Sequence, residues 1–171
     1  MNRNKLKRKR RMILLFAFAA MLAAISASII TYGAESEEFV RPDLIPYIEK
    51  VSADYGVSPE LIEAVIETES QGISTAQNGS CIGLMQVSTR WHMNRAAALG
   101  VDMTTDKGNI LTGTDFLMEI AAEEEDIYYV LATYNGQRSA APGKSSEYAE
   151  KILNRAEELE KVHGKRKYEQ R

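Results

Sequence analysis

Residues 58–70 read SPELIEAVIETES, and this stretch decides the fold of the chain. Ser58 is a preferred helix cap, Pro59 suits the first helical position, and Glu60 places an acid in the first turn. The segment therefore predicts a helix that runs to about Ser70. Its apolar positions recur on one side, which indicates that this side is buried in a core.

The glutamates of this helix divide into two groups. Glu60, Glu63 and Glu67 follow an i, i+3, i+7 series and predict one polar face. Glu69 instead continues the apolar series that contains Val65, so it extends the buried face. Desolvation and the negative end of the helix dipole would then raise its pKa, and an acid still protonated near neutral pH can donate a proton. The alternative is a glutamate in a frayed last turn that points to water.

The remaining sequence from about Asp43 predicts short helices and no convincing strand alternation, which indicates a mainly α fold. Asp106 is predicted to cap one helix and Ser145 or Ser146 to begin the last. The charged residues after Leu159 are predicted to fray. The predicted helices cover about 43–55, 58–70, 89–99, 106–120, 126–134 and 145–159.

The first 34 residues are a basic run followed by an apolar run. Residues 1–11 hold seven of the 21 Lys and Arg, and residues 12–32 contain no charge and are long enough to cross a hydrocarbon core. The basic run should stay in the cytoplasm, which sends the rest of the chain outside. A small-x-small cleavage site is hard to find, so a retained anchor is favoured over a cleaved signal peptide. The predicted layout continues with a linker at 35–42, one domain at 43–160 and a charged tail at 161–171.

Composition argues against several other kinds of site. After residue 11, fourteen Lys and Arg face all 24 Asp and Glu, so the body carries about −10 and is not a nucleic-acid binder. The single cysteine, Cys81, excludes an intramolecular disulfide and a zinc site of several thiolates, and is predicted to be a small buried residue. His92 and His163 have no neighbours at metal-ligand spacing and are interpreted as structural or solvated. Trp91 is interpreted either as a core residue or as a platform for a sugar.

Three short motifs occur in order along the chain. They are Glu69-Ser70, the tetrapeptide GLMQ at 83–86 and the pentapeptide ATYNG at 132–136. Together they resemble the lytic transglycosylase domain, which has a lysozyme-like helical fold. Asn109-Ile110 with Gly113, and Tyr148 with Ile152, extend the resemblance over about residues 43–155.

The resemblance implies a role for each matching residue. Glu69 is the single catalytic acid/base, and Ser70 helps to hold the site. Tyr134 is the tyrosine whose hydroxyl contacts the catalytic carboxyl, and Tyr148 is a second tyrosine of the site. The residues implied to line the sugar-binding groove are Met85, Gln86 and Asn135.

The resemblance also implies the reaction. Glu69 protonates the oxygen that links N-acetylmuramic acid to N-acetylglucosamine in peptidoglycan, and then removes the proton from the muramyl C6 hydroxyl. That hydroxyl attacks the anomeric carbon, so a 1,6-anhydromuramyl end forms and no water is consumed. Tyr134 would orient Glu69, and Met85 would form an apolar wall for a sugar ring. No metal or organic cofactor is needed.

The sequence departs from the family pattern at three places. Gln71 precedes Gly72 where glycine usually follows the Glu-Ser pair directly, and Thr133 stands where alanine is usual. Cys81 occupies a position that usually holds a small residue such as alanine. These departures affect the predicted loop geometry and substrate preference but remove no chemical group.

Two other functions remain open from the sequence. A lysozyme-type hydrolase on the same fold would need a second acid, for which Asp102, Asp106 and Asp115 are candidates. A non-catalytic glycan-binding or assembly protein would have no need of Glu69. The expected location is the bacterial cell membrane, with the domain on the extracytoplasmic side or secreted. The expected partners are peptidoglycan, the membrane through residues 12–32, and a secretion, conjugation or wall-synthesis machine.

Overall fold

A computed structural model describes residues 39–136 and 146–169 of the chain. The chain divides into two units, Met1–Glu37 and Glu38–Arg171, and every described residue belongs to the second. The predicted membrane segment at 12–32 lies outside the described residues. Within them, no helix combines the length and the hydrophobicity that a membrane crossing requires.

The described part of the second unit is mainly helical, as predicted, with one small sheet. A 3₁₀ turn at Pro42–Leu44 leads into the first helix. The helices are α1 (Ile45–Tyr55), α2 (Pro59–Ser70), α3 (Thr89–Ala98), α4 (Asp106–Glu123), α5 (Ile127–Tyr134) and α6 (Glu147–Glu169). The strands β1 (Gln77–Asn78), β2 (Cys81–Ile82) and β3 (Val87–Ser88) pair antiparallel in that order. The sequence analysis missed these strands because two residues are too few to show an alternating pattern.

The predicted cap of α2 is confirmed, whereas the predicted cap of α4 is wrong. The Ser58 hydroxyl accepts a hydrogen bond from the Leu61 amide at 3.1 Å, as the sequence predicts for α2. The start of α4 is different, because Thr105 and not Asp106 is the cap. The extended backbone of Thr105 lets its hydroxyl accept from the Gly108 amide at 3.2 Å. Asp106 is the first helical residue and pairs with Arg41.

The last helix begins close to the predicted position but does not end there. The Ser146 hydroxyl accepts from the Ala149 amide at 3.3 Å, and α6 starts at Glu147. The predicted fraying after Leu159 is wrong, because Leu159 is fully buried and the helix continues to Glu169. Beyond Leu159 the helix still contacts α2, because His163 lies 3.0 Å from Glu60.

Helix α2 lies at the centre of the domain, where it packs against α6 and α1. Helix α5 packs against both α4 and α6. The large side chains that are fully buried in the core include Ile48, Ile62, Ile66, Ile110, Leu117, Leu131, Ile152 and Leu159.

The polar face of α2 is buried against α6 and does not face solvent. Glu60, Glu63 and Glu67 are only 8%, 2% and 8% exposed. Arg155 of α6 donates to Glu67 through Nε at 2.5 Å and through a terminal nitrogen at 3.1 Å. His163 of α6 lies 3.0 Å from a carboxyl oxygen of Glu60. The i, i+3, i+7 spacing identified a common face correctly, but the face meets a second helix whose side chains complement its charge.

Candidate active site

A cavity of about 720 Å³ opens at the C-terminal end of α2. It is bounded by the small sheet, the start of α3, the middle of α4 and the end of α5. The lining side chains are mostly uncharged. They belong to Glu69, Asn78, Ser80, Cys81, Gln86, Val87, Ser88, Trp91, His92, Phe116, Thr133, Tyr134 and Asn135.

Glu69 is a half-buried carboxyl group in the last turn of α2. The hydroxyl of Tyr148, which α6 brings from 79 residues away, donates to Glu69 Oε1. Burial raises the pKa of Glu69, while the Tyr148 hydrogen bond and the charge of Lys151 oppose that rise. Since the net pKa shift is upward, the group is suited to donate a proton, as the sequence predicted from its position on the apolar side of the helix.

The contact with Glu69 that the resemblance implied for Tyr134 is made by the second site tyrosine, Tyr148. The Tyr134 hydroxyl donates to the backbone carbonyl of Met85 at 2.9 Å. Burial raises the pKa of both phenols, so each remains a neutral donor. Tyr134 therefore ties α5 to the GLMQ segment behind Glu69.

Met85 supports the cavity from behind and does not line it. Its side chain is fully buried, and its sulfur lies 3.8 Å from the Thr114 hydroxyl of α4. The predicted apolar sugar wall at Met85 is therefore wrong, because the side chain points into the core. Gly113 makes room for this packing, since a Cβ added there would lie 2.8 Å from the Met85 sulfur.

Asn109 of α4 holds the GLMQ segment in place, a contribution that the sequence analysis identified only as a match to the family pattern. Its buried amide accepts from the Met85 amide at 2.8 Å and donates to the carbonyls of Ile82 and Met103 at 2.9 and 3.2 Å. Gly83 packs directly on this amide, where an added Cβ would lie 2.6 Å from Asn109 Nδ2. Because each polar atom of the side chain has a partner, the loop has little freedom to move.

The other predicted site residues fall into two groups. Gln86 and Asn135 line the cavity. The Gln86 amide is already committed, because it donates to the carbonyls of Ala76 and Gly83 at 3.0 and 2.9 Å. Ser70 is buried, does not line the cavity and donates to the carbonyl of Ile66 at 3.1 Å. Its role is to close the last turn of α2 beside Glu69.

The shifted glycine after the Glu-Ser pair has a steric cause. Gln71 ends α2 in a left-handed conformation, with φ of 54°, and Gly72 follows with φ of 73°. A Cβ on Gly72 would lie 2.0 Å from the backbone oxygen of Phe39. Glycine is therefore required at 72, where the chain entering the domain crosses the loop, and not at 71.

The other two departures both lie at the cavity. The Thr133 hydroxyl is buried and has no hydrogen-bond partner among the described residues. Cys81 is only half-buried and lines the cavity, so the prediction of a buried thiol is wrong. Burial and the neighbouring Glu69 both raise the pKa of its thiol, which keeps the group protonated.

None of the three candidate second acids lines the cavity. Asp115 accepts from the Tyr55 hydroxyl at 2.8 Å and pairs with Arg95. Asp106 pairs with Arg41, and Asp102 accepts from the Thr104 amide at 2.9 Å. Among the residues that the structure describes, Glu69 is the only carboxylate in the cavity wall.

Two neighbouring residues at the start of α3 complete the cavity. Trp91 is 71% exposed, which excludes the core alternative, and the Arg90 guanidinium lies 5.0 Å from its ring centroid. His92 lies with its ring centroid 4.2 Å from that of Phe116. The sequence analysis missed His92, because Phe116, which contacts its ring, comes from α4. No cluster of metal-ligating side chains is found within residues 39–136 and 146–169.

Comparisons with known proteins agree with this architecture. Residues 46–156 match the family model described as Transglycosylase SLT domain. Among solved structures, the chain is similar to the X-ray structure of an inactive mutant of lytic transglycosylase Slt from Pseudomonas aeruginosa, with a TM-score of 0.61 and 15% identity. That match covers 80% of this chain and 27% of the Slt chain, so the likeness concerns the fold of one part of a longer protein. No curated protein sequence matches the chain.

Proposed function

The chain belongs to the Transglycosylase SLT domain family, and from that premise we propose that it is a peptidoglycan lytic transglycosylase. It cleaves the β-1,4 bond between N-acetylmuramic acid and N-acetylglucosamine. The observation that carries the proposal is that, among the described residues, one carboxyl lines the cavity. It is Glu69, whose pKa is raised by burial and which accepts a hydrogen bond from Tyr148.

The proposed reaction uses Glu69 twice. Protonated Glu69 first gives its proton to the glycosidic oxygen, so the bond to the muramyl anomeric carbon breaks and the N-acetylglucosamine side leaves as an alcohol. The acetamido group of the muramyl residue stabilises the cationic centre. Ionised Glu69 then takes the proton of the C6 hydroxyl, whose oxygen bonds to the anomeric carbon. The carboxyl is returned to its protonated state, and the product has a 1,6-anhydromuramyl end.

The absence of a second cavity carboxylate from the described residues favours this route over hydrolysis. A glycoside hydrolase usually places two carboxyl groups on either side of the scissile bond, one as acid and one as base or nucleophile. Here Asp102, Asp106 and Asp115 are held elsewhere by hydrogen bonds or ion pairs. When the nucleophile is a hydroxyl of the substrate itself, one carboxyl group is enough, because the acid of the first step is the base of the second.

Product chemistry tests the proposal directly. The full chain, purified in a mild detergent, is incubated with isolated peptidoglycan, and the released muropeptides are analysed by mass spectrometry. We expect anhydromuropeptides from the wild type and from the matched control Glu123→Gln, whose carboxyl is exposed at the end of α4. Glu69→Gln should release about 10²- to 10⁴-fold less, the usual contribution of a general acid.

Each other outcome has a definite meaning. Products with free reducing ends would make the protein a hydrolase. Unchanged cleavage by Glu69→Gln would move the catalytic acid to another residue. Binding of peptidoglycan without any cleavage would favour a glycan-binding protein.

We also propose that the domain acts outside the bacterial cytoplasmic membrane, anchored by residues 12–32. The uncharged length of that segment and the basic residues before it support this location. Such a tethered domain suits local wall cutting beside a secretion, conjugation or wall-synthesis machine. Protease added to intact spheroplasts should digest the domain but spare the first residues. Protection of the whole chain from the protease would contradict the location.

The link to a secretion or conjugation machine has a separate test. If the protein digested whole cell walls broadly and its deletion affected only growth, that link would be contradicted.

A further inference from the structure

We propose that His92 is a substrate-positioning residue, which donates a hydrogen bond from its Nε2–H to a neutral oxygen of the bound glycan. Arg95 holds the imidazole in the tautomer that makes this possible. The inference rests on the proposed function in one respect, namely that the cavity holds a glycan. It adds a contact that lies apart from the carboxyl chemistry of Glu69.

The tautomer follows from the chemistry of the Arg95 side chain. Its Nε–H donates to His92 Nδ1 over 3.3 Å. A guanidinium has only donors, so the ring nitrogen that faces it must present a lone pair. In a neutral imidazole the remaining hydrogen is then on Nε2. The ring is therefore a donor on the side away from Arg95.

The Arg95 side chain is itself held in place by ion pairs. Its two terminal nitrogens pair with Asp115 and Glu119, and its side chain is only 18% exposed. Both carboxylates lie on α4, so they fasten the last turn of α3, which holds Arg95, to α4. Asp115 is in turn held by the Tyr55 hydroxyl. The donor that faces His92 consequently has little freedom to turn away.

The ring of His92 is held from a second direction by aromatic side chains. Its centroid lies 4.2 Å from that of Phe116, and Phe116 lies 5.4 Å from the ring of Tyr134. Tyr134 is tied to the backbone of Met85. The His92 and Phe116 rings are tilted by 44°, and the imidazole can rotate only by losing this contact and the Arg95 hydrogen bond.

The side of the imidazole away from Arg95 is available to a ligand. His92 lines the same cavity as Glu69, and no described residue accepts a hydrogen bond from His92 Nε2. Burial and the charge of Arg95 lower the pKa of His92, with Glu119 acting in the opposite direction, so the ring is neutral at pH 7. A neutral N–H donor suits the hydroxyl and acetamido oxygens of a sugar.

The tautomer can be tested without any activity measurement. The chain has only two histidines, so ¹⁵N labelling of the imidazoles gives two ring patterns in the spectrum of the full chain in micelles. The pattern that is missing in His92→Phe belongs to His92. At pH 7.5 we expect one protonated Nε2 and one unprotonated Nδ1 for His92. A protonated Nδ1, or averaging between the two tautomers, would overturn the proposal.

The contact is tested by adding soluble peptidoglycan strands to the labelled Glu69→Gln protein. The His92 Nε2–H resonance should shift on binding, while the His163 pattern should stay unchanged. Binding without a shift at His92 would overturn this inference and leave the proposed function intact. If no glycan bound and the wild type released no products, both this inference and the proposed function would be contradicted.

Kinetics separate a positioning role from a structural one. His92→Phe keeps an aromatic ring against Phe116 but loses the donor, whereas His92→Gln keeps an amide donor. One neutral hydrogen bond corresponds to about a five- to tenfold change. We expect KM to rise by about that factor in His92→Phe with kcat almost unchanged, and His92→Gln to recover most of the loss. Equal losses in both variants, or none in His92→Phe, would contradict the proposal, provided that both melt as the wild type does.

Discussion

The two sides of helix α2 hold glutamates in opposite ways. On the side that meets α6, Glu67 is bound by the Arg155 guanidinium and Glu60 lies beside His163. On the cavity side, Glu69 has a neutral hydroxyl as its hydrogen-bond donor, and burial raises its pKa. Glu67 is the more deeply buried of the two, at 8% exposure. The comparison shows that depth alone does not set the role of a carboxyl group, because the more deeply buried Glu67 has a guanidinium as its partner and Glu69 has a neutral hydroxyl.

Matched substitutions on the two sides should have opposite consequences. Glu69→Gln removes the proton donor, so we expect cleavage to fall by about 10²- to 10⁴-fold without any loss of stability. Glu67→Gln breaks a buried ion pair, and we expect the free energy of unfolding to fall by about 3 kcal/mol. Muropeptide release and urea denaturation of both variants measure the two effects. If Glu67→Gln also lost activity per folded molecule, the side of α2 that meets α6 would contribute to activity as well as to stability.

The two tyrosines allow a sharper version of the comparison. Tyr148→Phe removes the donor to Glu69, and a hydrogen bond to an ionised group corresponds to about 1.5–3 kcal/mol. We therefore expect kcat/KM to fall by about ten- to a hundredfold. Because that bond lowers the pKa of Glu69, the alkaline limb of the activity profile should move to higher pH.

Tyr134→Phe is the control for that prediction. It removes only the bond to the Met85 carbonyl, so it should lower stability by about 1 kcal/mol and leave the position of the alkaline limb unchanged. If the alkaline limb shifted in Tyr134→Phe, or did not shift in Tyr148→Phe, the assignment of the Glu69 contact to Tyr148 would be wrong.

The stability of the cavity side should depend on pH. The pKa of Glu69 is higher in the folded protein than in the unfolded chain, where it is about 4.3. Below that pH the carboxyl is protonated in both the folded and the unfolded protein, so it does not lower the free energy of unfolding. Above the folded pKa, the buried charge lowers stability. Glu69→Gln should therefore melt at a higher temperature than the wild type at pH 8, with the difference vanishing towards pH 4. A difference that is the same at both pH values would contradict the assigned cause.

The smallest expected effect concerns a buried hydroxyl that has no hydrogen-bond partner among the described residues. The Thr133 hydroxyl lies in α5 beside the cavity and makes no hydrogen bond to any described residue. Thr133→Val replaces it with a methyl group of similar size and should raise stability by about 1 kcal/mol. Thermal melting of the two proteins measures this. A loss of stability would indicate that an ordered water satisfies the hydroxyl.

The sequence predicted those features that depend on neighbours along the chain. Capping and periodicity predicted α2 closely, and the place of Glu69 on its apolar side predicted a carboxyl with a raised pKa. Both follow from helix geometry, which repeats within a few residues. Family resemblance added the GLMQ segment and the two tyrosines.

The errors concern contacts between distant parts of the chain. Spacing placed Glu60, Glu63 and Glu67 on one face but could not show that α6 covers it. The same limit applies to the tyrosines, because Tyr148 reaches Glu69 across 79 residues and Tyr134 reaches Met85 across 49. His92 was missed because the side chains that fix Arg95 come from α4. Such roles depend on which helices pack together, and a single sequence does not contain that information directly.

Trp91 gives the protein an optical property that follows from its position. It is the only tryptophan of the chain, and it lies exposed at the cavity. The indole fluorescence of the protein therefore comes from one place, beside the carboxyl that is proposed to act. A sugar ring that covered the indole should shift its emission to shorter wavelength and shield it from iodide quenching. Unfolding should change the same signal little, because the indole is already in contact with water.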